Sequence, residues 1–327
     1  MREKIGWGIV GLGNIAEKFA KDLALVNTGK LVSISSRSKT KGQDFAAKHN
    51  VKNSYNNAQD LFNCADVDVV YIATPHTLHK ELSVMAMNSG KHVLCEKPMG
   101  VNTKQVKNMI AASVKNNVFL MEALWSRFLP SIQKVKQIVD AKELGEISYI
   151  KSDFAFYGLD RAEESRLLNP NLAGGSLLDI GIYPVFLAYL LLGKPNEIIA
   201  TANFYKTGVE KQVSIIFKYD NAQAHLYSAL TANTETSSEI AGDKGLLKLE
   251  TRWHEAEGYY IEKSREKEYF KTPKLGVGYT YEIEEVHKCI TNNQIESKLW
   301  SHQNSLDLIQ LLDQIREKTN IVFPFEA

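Results

Sequence analysis

The sequence predicts two domains: an N-terminal α/β domain on a doubly wound parallel sheet, then an α+β domain with a large, mostly antiparallel open sheet. Three observations carry this. Short apolar runs alternate with amphipathic stretches over the first 120 residues. From about residue 124, longer strand-like runs separated by turn signals take over. The length of 327 residues is about two domains' worth of chain.

In order, Ile5 to Val10 predicts a strand, and Ile15, Phe19, Leu23 and Val26 recur at helical spacing. Leu31 to Ser35 is β-branched and apolar enough for a second strand, and the residues around Phe45 and Ala46 suit a short helix. Val67 to Ala73 is the best strand in the chain. Leu78, Leu82, Met85 and Ala86 mark a helix face, His92 to Cys95 a strand, Val106, Met109, Ile110 and Val114 a helix stripe, and Val118 to Met121 a last strand. Such alternation describes parallel strands buried on both faces by helices.

The predicted second-domain strands are Glu146 to Phe156, Glu197 to Tyr205, Gln212 to Tyr219, Ala222 to Ser228, Ser237 to Ala241 and Gly245 to Thr251. Asp220-Asn221 and Gly242-Asp243-Lys244-Gly245 read as hairpin turns. Helices are expected at Ile132 to Val139, at Tyr183 to Leu192, and twice near the end, the last carrying Leu308, Leu312 and Ile315. Asp160 to Gly175 is polar and reads as a mobile loop. The predicted domains are residues 1–123 and 124–327, with the C-terminal helix a candidate to pack back on the first domain. No repeat or low-complexity tract is evident.

Composition excludes several classes. Apolar residues make up 44% and charged residues 24%, ordinary for a soluble globular protein. Lysine plus arginine is 39 against 38 acidic residues, a balance that argues against a nucleic-acid binder. Cys64, Cys95 and Cys289 are scattered and odd in number, which excludes a disulfide framework or a thiolate zinc site and suits a reducing compartment. The Met1-Arg2-Glu3-Lys4 start leads into an apolar run too short for a signal peptide, and no run of about 18 apolar residues is apparent. A cytoplasmic protein is expected.

Gly11-Leu12-Gly13-Asn14-Ile15-Ala16 follows a strand and opens a helix. In that context G-x-G-x-x-A is the Rossmann dinucleotide fingerprint. Gly11 permits the tight turn, Gly13 admits the pyrophosphate, Ala16 packs helix on strand, and the helix N-terminus at Asn14 and Ile15 faces the phosphate charge. An NAD site places an acid about 20 residues further on. Ser36 stands there, followed by Arg37. A hydroxyl and a guanidinium suit a 2′-phosphate, so NADP is expected over NAD.

Glu96-Lys97-Pro98 ends a predicted strand at the carboxyl edge of the parallel sheet, where ligands bind, and Lys97-Pro98 invites a cis peptide. In the second domain, Gly174-Gly175-Ser176-Leu177-Leu178-Asp179-Ile180-Gly181-Ile182-Tyr183-Pro184 opens a helix, with Asp179 and Tyr183 four apart on one face. Each has a plain alternative: a surface lysine, a helix N-terminal carboxylate, a packed tyrosine.

Taken together, the glycine fingerprint, Ala73-Thr74-Pro75, Glu96-Lys97-Pro98 and the Gly175 to Tyr183 run resemble the Gfo/Idh/MocA oxidoreductases over nearly the whole chain. Many members carry Asp-x-Gly-x-His where this chain has Asp179-x-Gly181-x-Tyr183. That departure, with Met121 to Pro130, resembles the dimeric dihydrodiol dehydrogenase branch. The resemblance implies an NADP-dependent dehydrogenase of sugars, polyols or trans-dihydrodiols that pairs as a dimer or tetramer through the C-terminal sheet. It implies cofactor contacts from Thr74, Pro75, His76, His79, Glu96 and Lys97, and a substrate side built from Trp125, Arg127, Phe154, Asp179 and Tyr183.

Alcohol oxidation by hydride transfer needs a base for the hydroxyl proton. A tyrosine titrating near 10 is a poor base at neutrality, and an adjacent ammonium lowers that value. Tyr183 is therefore the expected general acid/base, Lys97 its electrostatic partner and Asp179 the orienting carboxylate. The converse, with Lys97 carrying the proton, stays open. His76-x-x-His79 lacks a third ligand, so no metal is expected. Trp125 and Phe154 suit an aromatic wall or core packing, and Cys95 suits packing rather than a nucleophile. A cofactor-sensing regulator without turnover and an NAD-dependent inositol-type dehydrogenase are the alternatives.

Overall fold

The computed structural model describes residues 4–326; the residue 1–3 lead discussed above lies outside the described residues. The chain forms two compact units. The first runs up to Phe128 and takes back Leu275–Leu306; the second comprises Leu129–Lys274 and the residues from Asp307 onward.

The first unit begins β1 (Ile5–Val10), α1 (Asn14–Leu23), β2 (Gly29–Ser35), α2 (Lys39–His49), β3 (Asn53–Tyr55) and α3 (Ala58–Phe62). It continues β4 (Val69–Ile72), α4 (His79–Asn88), β5 (His92–Glu96), α5 (Thr103–Asn116) and β6 (Leu120–Ala123). All strand pairs are parallel, in the order β3-β2-β1-β4-β5-β6. The strand order reverses between β1 and β4, and the crevice outside the carboxyl ends there is the place where such sheets bind ligands. β4 and β6 are buried at every residue, which is why they read as continuous apolar runs. Trp7, Phe19 and Tyr71 fill the core beneath the crevice, with Phe19 and Tyr71 stacked at 3.8 Å.

The second unit holds α6 (Pro130–Asp140), β7 (Ile147–Ala155), α7 (Ile182–Leu192), β8 (Glu197–Phe204), β9 (Glu210–Lys218) and β10 (Gln223–Ala229). It adds β11 (Ser238–Gly242), β12 (Gly245–Leu249), β13 (Gly258–Lys263) and β14 (Glu266–Lys271). Its eight strands run β14-β13-β12-β11-β7-β10-β9-β8, antiparallel except for β10 on β7. α7 is apolar all round and almost wholly buried, as a helix lying against a sheet and a second helix must be. The other face of β7 to β10 shows Tyr149, Lys151, Ile199, Thr201, Ser214, Ile216, His225 and Tyr227.

Three features of the structure bear on the expectations above. First, where the sequence divides the chain after residue 123, the first compact unit runs to Phe128 and also takes in α8 (Thr280–Thr291) and the start of α9 (His302–Thr319). Hydrogen bonds across long sequence separations account for this. Asp22, 1% exposed, accepts from the amides of Val277, Gly278 and Tyr279 at 2.8 to 3.0 Å. Buried Glu122 accepts from Trp300 Nε1 at 3.2 Å, and Leu120 N donates to Ile295 O at 3.0 Å. Second, the Asp160 to Gly175 loop is not free along its length: Leu167 and Leu168 are fully buried in a cluster with Ile180, Val209 and Leu230. Third, the stretch Pro170–Leu192 is long and apolar enough by composition to cross a membrane, but Ser176, Asp179 and Pro184 interrupt it and 83% of its most apolar 18-residue window is buried inside the protein.

Candidate active site

The first unit supplies a phosphate cradle. Gly11 has φ +92°, and a Cβ there would lie 2.6 Å from Ala73 O, so only glycine fits the approach of the β1 and β4 loops. A Cβ on Gly13 would meet nothing within 4 Å. Gly13 caps α1 with no side-chain hydrogen bond, leaving the amides of Asn14 and Ile15 at an uncapped helix N-terminus. Thr74 Oγ1 is buried with no hydrogen-bond partner in the protein. An open cradle, free helical amides and an orphaned hydroxyl fit a dinucleotide pyrophosphate.

At the end of β2, Ser36 Oγ accepts from Ser38 N at 3.2 Å. Arg37 is exposed and has no ion pair among the described residues. Pro75 precedes a short turn, His76–Leu78, that leads into α4. His76 and His79 are both buried, their rings 5.7 Å apart. Both nitrogens of His79 are engaged by carbonyls, Pro98 O and Thr74 O, each at 2.8 Å. Burial pulls His79 below its ordinary range, despite those carbonyls. The ring ties the β4 loop to the β5 loop and presents no free nitrogen edge to a ligand. No cluster of three or more metal-ligating side chains occurs among the described residues.

β5 ends in Glu96, and Lys97-Pro98 is cis. Glu96 is buried, accepts from Tyr71 Oη on Oε1, and takes the Lys97 amide on Oε2 at 3.1 Å. Burial first, then the Glu96 charge, holds the Tyr71 phenol well above its usual range, so it remains a donor. The Lys97 backbone is thus fixed by the residue preceding it. Burial likewise pushes the Cys95 thiol far up, which leaves it inert. Trp125 stacks on Tyr279 at 4.9 Å, and buried Arg127 donates Nε to Leu299 O at 2.9 Å, both within the first unit.

The second unit brings Phe154, Asp179 and Tyr183 into one neighbourhood. Leu177–Gly181 forms a π turn that continues into α7, placing Asp179 in the turn and Tyr183 in the helix's first turn. Such turns recur at functional sites. Tyr183 is 6% exposed, 5.5 Å from the Phe154 ring and 5.4 Å from His254. His254 stacks on Phe154 at 4.2 Å. Its short turn is held by Trp253, whose Nε1 donates to Asp153 O at 3.0 Å. Asp179 pairs with Arg166 at 2.6 Å. The sequence reading missed His254 and Arg166. His254 lies a hundred residues beyond its stacking partner, and Arg166 is one of several charges in a polar loop.

Residues 5–124 match the family described as "Oxidoreductase family, NAD-binding Rossmann fold", and residues 132–248 match the GFO/IDH/MocA C-terminal domain. Trans-1,2-dihydrobenzene-1,2-diol dehydrogenase of Xenopus laevis is 32% identical, covering 97% of this chain and 99% of that protein. The chain belongs to the Gfo/Idh/MocA oxidoreductase family. Scyllo-inositol 2-dehydrogenase (NADP(+)) of Bacillus subtilis, another relative, is 32% identical over 98% of both chains. The solved aldose-aldose oxidoreductase of Caulobacter crescentus superposes with TM-score 0.88 over 97% of this chain and 98% of that one. At 24% identity that likeness shows a shared fold alone, the Gfo/Idh/MocA pairing of a parallel sheet with a second, mostly antiparallel one.

Proposed function

We propose that this chain is an NADP-dependent dehydrogenase acting on a secondary alcohol of a sugar, polyol or trans-dihydrodiol, or on the matching carbonyl. The observation that carries the cofactor choice is the end of β2. Ser36 and exposed Arg37 stand where a carboxylate would select the ribose diol of NAD. The substrate class rests on relatives that act on a dihydrodiol and on an inositol.

The bound nicotinamide supplies the hydride acceptor or donor. Tyr183 takes the hydroxyl proton as the alcohol becomes a carbonyl, and returns it in reduction. Lys97 is the electrostatic partner that favours tyrosinate, and Asp179 orients the alcohol. Phe154 and His254 form the wall beside Tyr183, the imidazole giving a polar edge to an otherwise apolar surface. Gly11, Gly13, Asn14, Ile15, Thr74, Pro75 and His76 are assigned to the cofactor. Glu96 and His79 hold its loops.

A second copy of the chain is the assigned occupant of the exposed sheet face, where Tyr149, Ile199, Ile216 and Tyr227 line a groove of about 400 Å³. The three free thiols, two of them buried, agree with a reducing, cytoplasmic setting.

Fluorescence titration with NADPH and NADH, then turnover on D-xylose, scyllo-inositol and trans-1,2-dihydrobenzene-1,2-diol, tests the proposal. NADPH binding about tenfold or more tighter than NADH is expected, with that gap closing in Arg37→Ala. Equal or better NADH binding by the wild type would overturn the NADP assignment. Turnover of none of the three alcohols would overturn the substrate class.

A further inference from the structure

Glu210 opens β9 and is 1% exposed, yet it takes no part in the chemistry above. Its Oε1 accepts the Leu177 N–H at 2.8 Å across 33 residues of chain. Leu177 is the first residue of the π turn that holds Asp179 and hands over to Tyr183. That turn has no local side-chain cap, so the distant carboxylate satisfies one of its orphan amides.

Three further contacts seat the same segment on the sheet. Gly175 has φ +119°, and a Cβ there would fall 2.2 Å from Glu210 Oε1. Ser228 Oγ donates to Ser176 Oγ at 3.2 Å. A Cβ on Gly181 would lie 2.8 Å from Ser228 Oγ. The glycines of this stretch are therefore sites of close approach, and Glu210 is the polar anchor among them. Its other oxygen, Oε2, has no hydrogen-bond partner in the protein. Burial pushes the carboxyl up to about 7, against the Leu177 amide, its own amide and the Arg316 guanidinium of α9, which all favour the charge. A buried acid whose Oε1 reaches across the fold to the Leu177 amide points to a need for that amide's position.

We propose that Glu210 is a positioning residue: by accepting the Leu177 N–H it fixes the turn that sets Asp179 and Tyr183 in the register hydride transfer requires. The inference rests on the assignment of Tyr183 as proton carrier. Misplacement by about 1 Å can cost about a hundredfold in rate, so a loosened turn should act on kcat.

The test compares full-length Glu210→Leu, Glu210→Gln and Tyr183→Phe, with NADP+ and whichever of the three alcohols turns over fastest. Glu210→Leu is expected to lower kcat about tenfold or more, with KM for the alcohol and NADPH affinity each within about threefold of wild type. Glu210→Gln, which keeps the acceptor oxygen, is expected to stay within about threefold in kcat. Tyr183→Phe should lose about a hundredfold or more. If Glu210→Leu does not fold, Gly175→Ala takes its place, since its methyl group displaces the same carboxylate, and the same kcat loss is expected. Three results would overturn the inference: undiminished kcat in Glu210→Leu or its substitute, a Gln variant as damaged as the Leu variant, or a kcat loss matched by lost NADPH affinity. Wild-type turnover by Tyr183→Phe would instead sink the proton assignment, whatever the Glu210 variants do.

Discussion

The Arg166 guanidinium lies 2.6 Å from the Asp179 carboxylate, reaching it from a loop whose tip is exposed. The two side chains differ in environment: Arg166 is 52% exposed and Asp179 is 8% exposed. The pair therefore contributes little to stability, about 1 kcal/mol or less, while fixing the carboxylate proposed to orient the alcohol. Arg166→Ala should raise the alcohol's KM several-fold, leave NADPH affinity unchanged and shift the urea midpoint only slightly. A stability loss above about 2 kcal/mol without a kinetic effect would make the pair structural.

The two fingerprint glycines should respond differently to alanine. Gly11→Ala places a methyl against Ala73 O in a left-handed backbone, so thermal stability should fall by more than about 1 kcal/mol. Gly13→Ala meets open space at an ordinary φ of −90°. It should keep stability within about 1 kcal/mol yet weaken NADPH binding about tenfold or more. Thermal melts with and without NADPH separate the two. Similar melting loss in both variants would contradict the cradle geometry.

Acid should weaken the first unit through His287. Trp7 Nε1 donates to its Nε2 at 2.8 Å, so the ring proton sits on Nδ1, facing Thr28 Oγ1 at 2.8 Å. Burial lowers this histidine to about 4. Its folded value is depressed, so the neutral ring stabilises the fold above about pH 6.5. That contribution, about 3 kcal/mol, is lost as pH falls through about 4. Urea unfolding across this range should show the loss, and His287→Gln should flatten it. An unchanged slope in the variant would refute the assignment.

The sheet face predicts the assembly state. Ile199 is 47% exposed on β8, beside Ile216 on β9. A stable pair through this face must bury about 1,200 Å² or more. Light scattering of the wild type at micromolar concentration should give a dimer or tetramer, and Ile199→Asp should shift it toward monomer with NADPH affinity intact. A wild-type monomer would contradict the reading.

Much of this was legible in sequence because burial leaves period and composition behind. β1, β4 and β5 read correctly as strands since helices cover both faces of their sheet. The β13–β14 hairpin did not. β14 is an exposed edge strand with four Glu and Lys residues around Tyr269-Phe270, a charged pattern that protects edges and hides strands. Its turn uses Ser264 and Arg265 at positive φ, without the usual Asn or Gly. Of the candidate site residues, Lys97, Asp179 and Tyr183 stood out by motif, and Phe154 by resemblance. The His254 stack on Phe154 and the Glu210 bond to Leu177 join residues far apart in the chain, and neither has a local signature. Leu167-Leu168 was hidden by the charges around it, although it pins the loop.

The most direct measurement is a paired one on Lys97→Met: NADPH binding by fluorescence, and hydride transfer followed at the nicotinamide absorbance with the best alcohol substrate. The account predicts NADPH affinity within about threefold of wild type and turnover reduced by about a hundredfold or more. Turnover near the wild-type rate would contradict it, because the lysine that follows β5 would then have no part in the chemistry.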